Sequence, residues 1–356
     1  MTKPTNSEQS SRLSRRKRMM GWSFVFMMLA VVMLPLGGYV YTGLVASAEA
    51  SDQGAATNPR SNYWRAVREG EPGYTAVSGQ ETRVLIQNGG ENWRSLRNGP
   101  LATIGGIALI LTLLAIVAYH LKHGVMKLEQ GRSGKTVTRW SLFDRVLHWT
   151  TATLFILLAI TGLSLLFGRA VLIPLLGHDG FSAYASLAKT VHNYLGPVFV
   201  GVLIIVILSW FKNNLFNQDD MRWFKTGGGG IVGHEHASCG RFNAGEKLWF
   251  WLVAVLGLAV GITGLILDFP NFEQLRNTMQ NANLIHSAVA MVWMAVAFGH
   301  IYIGTLGSEG SLDGIVSGEV DVNWARQHHD LWYEEVKQGR GDNTSAEDSG
   351  AATSPS

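Results

Sequence analysis

Four of the eleven histidines lie inside apolar stretches or at their ends, where an ionisable side chain is costly and calls for a functional explanation. These four are His148, His192, His286 and His300. Neutral imidazole binds iron through one ring nitrogen, while the other nitrogen hydrogen-bonds and fixes the ring. Two imidazoles fill both axial positions of a haem, so the iron can change redox state but cannot bind a substrate. The four histidines therefore predict two haems that only carry electrons.

The spacing between His286 and His300 supports this interpretation. In an α-helix their fourteen-residue separation rises about 21 Å and turns about 1400°, roughly 40° short of four full turns. Both imidazoles therefore leave nearly the same side of one helix, one near each membrane surface. A single helix can thus supply an axial ligand to each of two haems.

The elements that would position these histidines are five apolar runs of about 20 residues, the length that crosses a bilayer. The runs are nearly free of charge and lie at about 101–119, 149–167, 191–211, 248–267 and 284–304. Buried helices of a soluble domain are the alternative, but such helices carry a polar stripe, and the first run is apolar all round. Only 15% of the residues are charged, against about 25% in an average soluble domain. We expect an all-α membrane protein built as a transmembrane helical bundle.

The loops between the runs alternate between many and few basic residues. The loop over residues 120–147 holds six lysines and arginines and the loop over 212–247 holds five, whereas the alternate loops hold only Arg169 and Lys189, then Arg276. The positive-inside rule therefore puts the two basic loops and the C-terminal tail in the cytoplasm. We expect a multi-pass protein with a cytoplasmic C-terminus.

This orientation pairs the four histidines by depth. His148 enters its span from the cytoplasm and His300 lies at the cytoplasmic end of its helix, so these two share one level. His192 and His286 both begin helices at the opposite face and share the other level. A histidine in a span can instead be a packed residue or part of a proton relay. Relays usually include intramembrane Asp or Glu, and here the spans hold almost none, since Asp268 lies at an end.

Charge and cysteine content exclude other kinds of site. The formal charge of +3 is too small to indicate nucleic-acid binding. The single cysteine, Cys239, rules out an internal disulfide and an iron–sulfur cluster built by this chain alone, which would need about four thiolates. The pattern His234-Glu235-His236-x-x-Cys239 lies in a Gly-rich loop and is a weak indication of a metal site.

Other residues have a supporting role in this hypothesis. Gly196 and Gly299 lie close to ligand histidines and leave room for a flat macrocycle. Arg145 and Lys247 lie where haem propionates could pair with them, although snorkelling of their charged ends is the alternative. The pair His328-His329 in the aqueous tail fits a docking surface better than a ligand pair.

Composition divides the chain into six segments. Residues 1–50 carry a basic cluster and a long apolar stretch, either a cleaved signal or a retained anchor. After them come an extracytoplasmic segment 51–98, an additional transmembrane helix 99–121, a cytoplasmic loop 122–144, a four-helix domain 145–306 and a cytoplasmic tail 307–356, disordered at its end. The sequence Ile-Thr-Gly-Leu occurs at 160–163 and again at 262–265. This repeat reflects either a shared ancestor of two helix pairs or reuse of a short apolar sequence.

The ordered motifs around these histidines resemble the gamma (cytochrome b) subunit of membrane-bound, quinone-linked formate dehydrogenases. The resemblance covers about residues 140–336. The motifs are Arg145-x-x-His148-Trp149-Thr150, His192-x-x-x-Gly196, Phe242-Asn243-Ala244-Gly245-Glu246-Lys247, Leu284-Ile285-His286, His300-Ile301-Tyr302, Trp324-Ala325-Arg326-Gln327-His328-His329 and Trp332-Tyr333. Shorter members of the family have four spans, so this chain resembles the longer form with an extra N-terminal region. The family shows Gln where this chain has Glu246.

The resemblance implies a four-helix di-haem cytochrome b core with two haem b groups in the bacterial cytoplasmic (inner) membrane. His148 and His300 would hold the cytoplasmic-side haem, and His192 and His286 the periplasmic-side haem. The implied partners are an iron–sulfur beta subunit and a molybdenum or tungsten alpha subunit. Formate oxidation itself would occur on that alpha subunit, so this chain would contribute no catalytic residue to it.

The family also implies a quinone, either menaquinone or ubiquinone, bound beside the inner haem. The matching residues here are Asn243, Gly245 and His300. The nearest alternative is the cytochrome b subunit of a hydrogenase or thiosulfate reductase, which has the same electron-transfer path through the haems and another catalytic partner. An alternative of a different class is a haem-free membrane anchor or transporter.

Overall fold

The structure is a computed structural model that describes residues 88–226, 237–272 and 274–339, together with residue 65 and residues 68–70. Outside the described residues lie the predicted signal or anchor within 1–50, most of segment 51–98, residues 234–236 and the tail beyond residue 339. All four candidate ligand histidines are described.

Four helices in the described ranges are long and apolar enough to cross a membrane. The first begins as α1, Asn88–Leu96, and continues through a π-helical turn, Arg97–Leu101, into α2, Ala102–His123. Along the chain follow α3, Leu142–Trp210, the short α4, Gln218–Lys225, then α5, Ala244–Asp268, and α6, Arg276–Tyr302. The chain is therefore a helical, multi-pass membrane protein, as the apolar runs predict.

Helix α3 is two antiparallel helices joined at a sharp bend. Its 69 residues would extend about 104 Å if straight, more than three times the bilayer core of about 30 Å. Gly177 breaks the helical path with φ 70° and ψ 176°, a conformation that glycine adopts without steric cost. The hydroxyls of Ser164 and Tyr184 lie 2.8 Å apart, so the arms before and after Gly177 return alongside each other. The α3 hairpin thus contains the second and third predicted spans.

The chain divides into two compact units. The first takes its described residues from Met1–Ala118, Thr151–Leu203 and Val255–Gly299, and the second from Tyr119–Thr150, Ile204–Ala254 and His300–Ser356. His192 and His286 belong to the first unit, and His148 and His300 to the second.

In the first unit the additional helix α2 packs against α6. A Cβ added to Gly105 would clash with the Met291 thioether, so a larger residue would force Met291 to move. Trp93 Nε1 in α1 donates to Asn283 Oδ1 over 3.2 Å. Both contacts fix the N-terminal helices on the helix that carries His286.

In the second unit the segment after α6 folds against the segment before α3. It runs through a π-helical turn, Ile303–Gly307, then α7, Ser311–Ser317, β2, Glu319–Asp321, α8, Val322–His328, and a last helix, α9, over residues 330–339. Strand β2 pairs antiparallel with β1, Thr136–Thr138. The shared core consists of Leu128, Val137, Val320, Trp324, Ala325 and Trp332. These loop and tail residues are therefore one packed structure.

The Asp321 carboxylate connects the two segments of this packed structure. It accepts hydrogen bonds from Asn323 N over 2.8 Å, from Ser133 N over 3.1 Å and from Gly134 N over 3.0 Å. Burial raises the pKa of Asp321, but the backbone N–H donors outweigh burial and leave the pKa below its ordinary value. The ionised carboxylate therefore stabilises the fold above about pH 4, and this contribution is lost as the pH falls through the native pKa.

We expect Asp321→Asn to destabilise the protein by about 1–2 kcal/mol at neutral pH, because an amide cannot accept hydrogen bonds at both terminal atoms. The loss should shrink at acidic pH, where the native carboxyl is itself protonated. Thermal unfolding of the full chain in detergent at pH 7 and pH 2 measures both effects. Glu335→Gln in α9, where the side chain is exposed, is the control. An equal loss at both pH values would contradict the role of the charge.

Candidate haem sites

The structure brings the four candidate ligand histidines together in two pairs. In the first unit the His192 and His286 ring centroids lie 6.1 Å apart, with the ring planes at 76°. In the second unit the His148 and His300 ring centroids lie 6.3 Å apart, with the planes at 53°. These are the same pairs that the orientation of the spans predicts.

Both separations fit an iron between the two rings. An imidazole nitrogen binds a first-row transition metal at about 2.0 Å. Two rings on opposite sides of one iron therefore have centroids about 6 Å apart, because each ring centre lies about 1 Å beyond its nitrogen. The donor chemistry agrees, since neutral imidazole is an ordinary axial ligand of haem iron. The residues present therefore fit a bis-histidine haem at each pair.

Two glycines leave space near these rings. Gly196 lies one turn after His192, and Gly299 is adjacent to His300. An added Cβ at either glycine would meet no heavy atom within 4 Å from a separate part of the described chain. A flat macrocycle needs such a close approach to the backbone, and glycine permits it.

The first turns of α3 position His148. Asp144 N donates to Ser141 Oγ, and Ser141 N donates back to Asp144 Oδ2, each over 3.1 Å, which forms a capping box at the helix start. Trp210 Nε1 donates to Asp144 Oδ1 over 2.9 Å and fixes this end against the second arm of the hairpin. His148 Nδ1 is buried and has no hydrogen-bond partner among the described residues. Such an unpaired nitrogen is consistent with a histidine that binds a group from outside the chain.

Indole rings hold both histidines of the second unit. Trp249 of α5 stacks on His300 with ring centroids 4.4 Å apart and planes within 10°. Trp149 packs edge-on against His148 at 5.3 Å and donates its indole N–H to Ile315 O over 3.1 Å. Trp249 has no distinguishing signal in the sequence, since a tryptophan near a span end is ordinary in membrane helices.

In the first unit each histidine contacts a threonine to which sequence analysis assigns no role. Thr161 Oγ1 lies 2.8 Å from His192 Nδ1, and Thr263 Oγ1 lies 3.3 Å from His286 Nδ1. Both threonines belong to the repeated sequence Ile-Thr-Gly-Leu. That repeat is the signal by which the sequence could have identified them.

The candidate quinone residues at the start of α5 have structural contacts. Glu246 N donates to Asn243 Oδ1 over 2.9 Å, and Asn243 N donates to Glu246 Oε2 over 3.0 Å. Asn243 is therefore a helix cap. A Cβ added to Gly245 would lie 2.8 Å from Trp223 Cη2, so the Trp223 indole covers this glycine.

The two candidate propionate partners differ in their contacts. Lys247 Nζ lies 2.8 Å from Asp220 Oδ2, and the side chains are only 6% and 3% exposed. Lys247 therefore has an ion-pair partner within the chain, and its pairing with a propionate stays a prediction. Arg145 Nη1 donates to Val316 O over 2.9 Å, while Arg145 Nε is buried without a hydrogen bond in the described ranges.

The prediction of a docking surface at His328-His329 is wrong for His329. Its side chain is 1% exposed and packs on Trp324 with ring centroids 5.1 Å apart. Its Nδ1 donates to Gly240 O over 2.9 Å. Burial, together with the nearby Arg139 guanidinium, lowers the pKa of His329 well below its ordinary value, so the ring is neutral at pH 7. His329 therefore belongs to the packed interior of the second unit.

A family model and several individual proteins that are similar to this chain all point to cytochrome b subunits. The model of the family "Prokaryotic cytochrome b561" matches residues 139–318. The chain is 32% identical over 206 residues to the cytochrome b556(fdo) subunit of formate dehydrogenase from Escherichia coli, covering 57% of this chain and 94% of that protein. It is 27% identical over 217 residues to the nitrate-inducible cytochrome b556(Fdn) subunit of formate dehydrogenase from the same species, covering 60% and 97%. For the formate dehydrogenase cytochrome b556 subunit of Haemophilus influenzae the identity is 30% over 196 residues, covering 54% and 79%. The resemblance drawn from the motifs is confirmed.

We expect Cys239 to be unreactive in the folded protein. Burial raises the pKa of its thiol to about 12, and Sγ donates to His328 O over 2.7 Å. Since only the thiolate is nucleophilic, a maleimide should label none of the native chain at pH 7 and one site per chain after denaturation. Glu335→Cys, which adds an exposed thiol on α9, is the positive control. Stoichiometric labelling of the native wild type would show that the second unit opens.

Proposed function

Because the chain belongs to the prokaryotic cytochrome b561 family, we propose that it is the membrane cytochrome b subunit of a quinone-linked formate dehydrogenase. In this function it passes electrons from an iron–sulfur subunit through two b haems across the membrane to a quinone. The observation that carries the proposal is the pair of two-histidine sites, each with ring centroids about 6 Å apart. Helix α6 supplies one histidine to each site.

The proposed ligands are His192 and His286 for the outer haem and His148 and His300 for the inner haem. When bound, each haem would supply one-electron redox chemistry. With two imidazoles offered to each iron, the chain would support electron transfer rather than substrate turnover.

The direction of transfer follows from the proposed orientation. The basic loops and the C-terminus lie in the cytoplasm, and the membrane is the bacterial inner membrane. Formate is oxidised outside by a separate molybdenum or tungsten subunit. One cysteine is too few for this chain to build the iron–sulfur relay, so a beta subunit must supply it. Quinone reduction with cytoplasmic protons then separates charge across the membrane.

The proposed quinone pocket lies beside the inner haem and includes Asn243, Gly245 and His300. Support comes from α5, which begins directly after Asn243 and carries Gly245 in its first turn, and whose Trp249, one turn later, stacks on His300. Asn243 also caps this helix, so a test of quinone binding must preserve the cap.

We expect His192→Ala to lose one of two haems per chain in the purified complex, because His286 alone would then be left to hold that haem. Formate should then no longer reduce the remaining haem, whereas added quinol should still reduce it. Haem content and anaerobic optical spectra measure these outcomes. His178→Ala, an exposed histidine in α3, is the matched control and should keep both haems.

Three results would contradict the proposal in different ways. Two haems in His192→Ala would exclude this ligand. Normal reduction of the remaining haem by formate would exclude the route. A wild-type complex without b-type haem would favour the haem-free anchor or transporter.

We expect Asn243→Ser to impair quinol oxidation while the fold is retained. Serine caps a helix about as well as asparagine but lacks the amide group that would contact a quinone. The KM for quinol in haem reduction should rise, with thermal stability and haem content close to those of the wild type. Asn243→Ala, which loses the cap as well, should lower both stability and quinol oxidation. An unchanged KM in Asn243→Ser would remove Asn243 from the proposed pocket.

A further inference from the structure

The repeated Ile-Thr-Gly-Leu sequence meets the two histidines of the first unit in the same way. We propose that Thr161 and Thr263 are positioning residues that fix the ring tautomers of His192 and His286 and thereby lower the reduction potential of the outer haem. This inference rests on the proposed function, because it takes these two histidines as axial ligands.

The hydrogen bonds of Thr161 determine the tautomer of His192. Thr161 Oγ1 has one proton, which it donates to Leu157 O over 2.8 Å, the back-bond that threonine commonly makes inside helices. The same oxygen lies 2.8 Å from His192 Nδ1, and with its proton engaged it can only accept there. The Leu158 backbone carbonyl is a further hydrogen-bond partner of the His192 ring and can only accept, which supports a ring proton on Nδ1. That leaves Nε2 unprotonated, with its lone pair available for iron.

The second threonine repeats this arrangement at His286. Thr263 Oγ1 donates to Ala259 O over 2.6 Å and lies 3.3 Å from His286 Nδ1. His286 Nδ1 also lies 3.0 Å from Val260 O, and a carbonyl oxygen can only accept. Both neighbours of this nitrogen are acceptors, so His286 also carries its proton on Nδ1 and offers Nε2.

The glycine that follows each threonine completes the contact. A Cβ added to Gly162 would lie 3.2 Å from His192 Cε1, and one added to Gly264 would lie 3.2 Å from His286 Cε1. These distances are tight for a side chain, so glycine lets each ring approach the helix that bears its threonine. Each Thr-Gly pair thus has two parts: the threonine hydroxyl accepts a hydrogen bond from the histidine Nδ1–H, and the glycine leaves space for the imidazole ring.

The hydrogen bond from the histidine to the threonine would change the reduction potential of the iron. A ligand imidazole that donates its second N–H to an acceptor becomes a more basic ligand. A more basic ligand favours the ferric state and lowers the reduction potential. The two threonines would therefore lower the reduction potential of the haem that His192 and His286 hold.

The test is an anaerobic redox titration of haem absorbance in the purified complex of the wild type, Thr161→Val, Thr161→Ser and Thr112→Val. Valine keeps the shape of threonine and removes the hydroxyl, whereas serine keeps the hydroxyl. Thr112 Oγ1 makes the same back-bond, to Ala108 O over 2.8 Å, and is the matched control in α2. The outer potential is identified as the one absent from His192→Ala.

In Thr161→Val the ratio of reduced to oxidised outer haem at a fixed potential should rise about threefold to tenfold, as expected for loss of one hydrogen bond to a ligand. The inner haem, Thr161→Ser and Thr112→Val should match the wild type. Thr263→Val should give a smaller shift, because the contact of Thr263 with His286 is 3.3 Å, against 2.8 Å for Thr161 with His192.

An unchanged outer potential in Thr161→Val, or an equal shift in Thr161→Ser, would overturn the inference. Loss of the outer haem from Thr161→Val alone would support the hydroxyl's role. Loss from Thr161→Ser as well would assign the effect to packing and overturn it. Fewer than two haems in the wild type would instead overturn the proposed function, and with it this inference.

Discussion

A buried imidazole has two ring nitrogens that need partners, because an unpaired polar group in an apolar interior costs about 1–3 kcal/mol. In the first unit the chain satisfies one nitrogen of each histidine, through Thr161 for His192 and through Thr263 with Val260 for His286. The rings are then fixed with their centroids 6.1 Å apart, the separation that an iron between them requires. The glycine bend in α3 and the Thr-Gly pairs all serve this requirement.

In the second unit, buried charged side chains are paired with charges of opposite sign. The Arg139 side chain is 2% exposed and is neutralised by Glu246 at 2.9 Å, while Trp324 lies against its guanidinium at 4.8 Å. Lys247 and Asp220 form a second buried pair. Breaking such pairs is strongly destabilising, because it leaves a buried charge uncompensated. The start of α5 is therefore held firmly by the folded loop and tail, and a rigid support of this kind suits residues that bind a substrate.

The correction at His329 has a clear physical cause. His328-His329 lies in a polar tail and β1 lies in a polar loop, and composition alone assigns both segments to water. The pairing of β1 with β2 brings those segments together and encloses Trp324, so His329 becomes buried and neutral. Contacts between residues about 90 to 190 positions apart create this interior, and no local periodicity reports them.

Hydropathy identifies the apolar spans from the sequence, because it is a local property that can be counted residue by residue. Loop charge and helical periodicity likewise predict an orientation and single out four histidines. The sequence also contains Ile-Thr-Gly-Leu twice, but nothing local assigns a role to its threonines. Their contacts with histidines, 31 positions away for Thr161 and 23 for Thr263, are seen only in the folded chain. Such contacts depend on which helix faces pack together, and the packing of the whole bundle sets those faces.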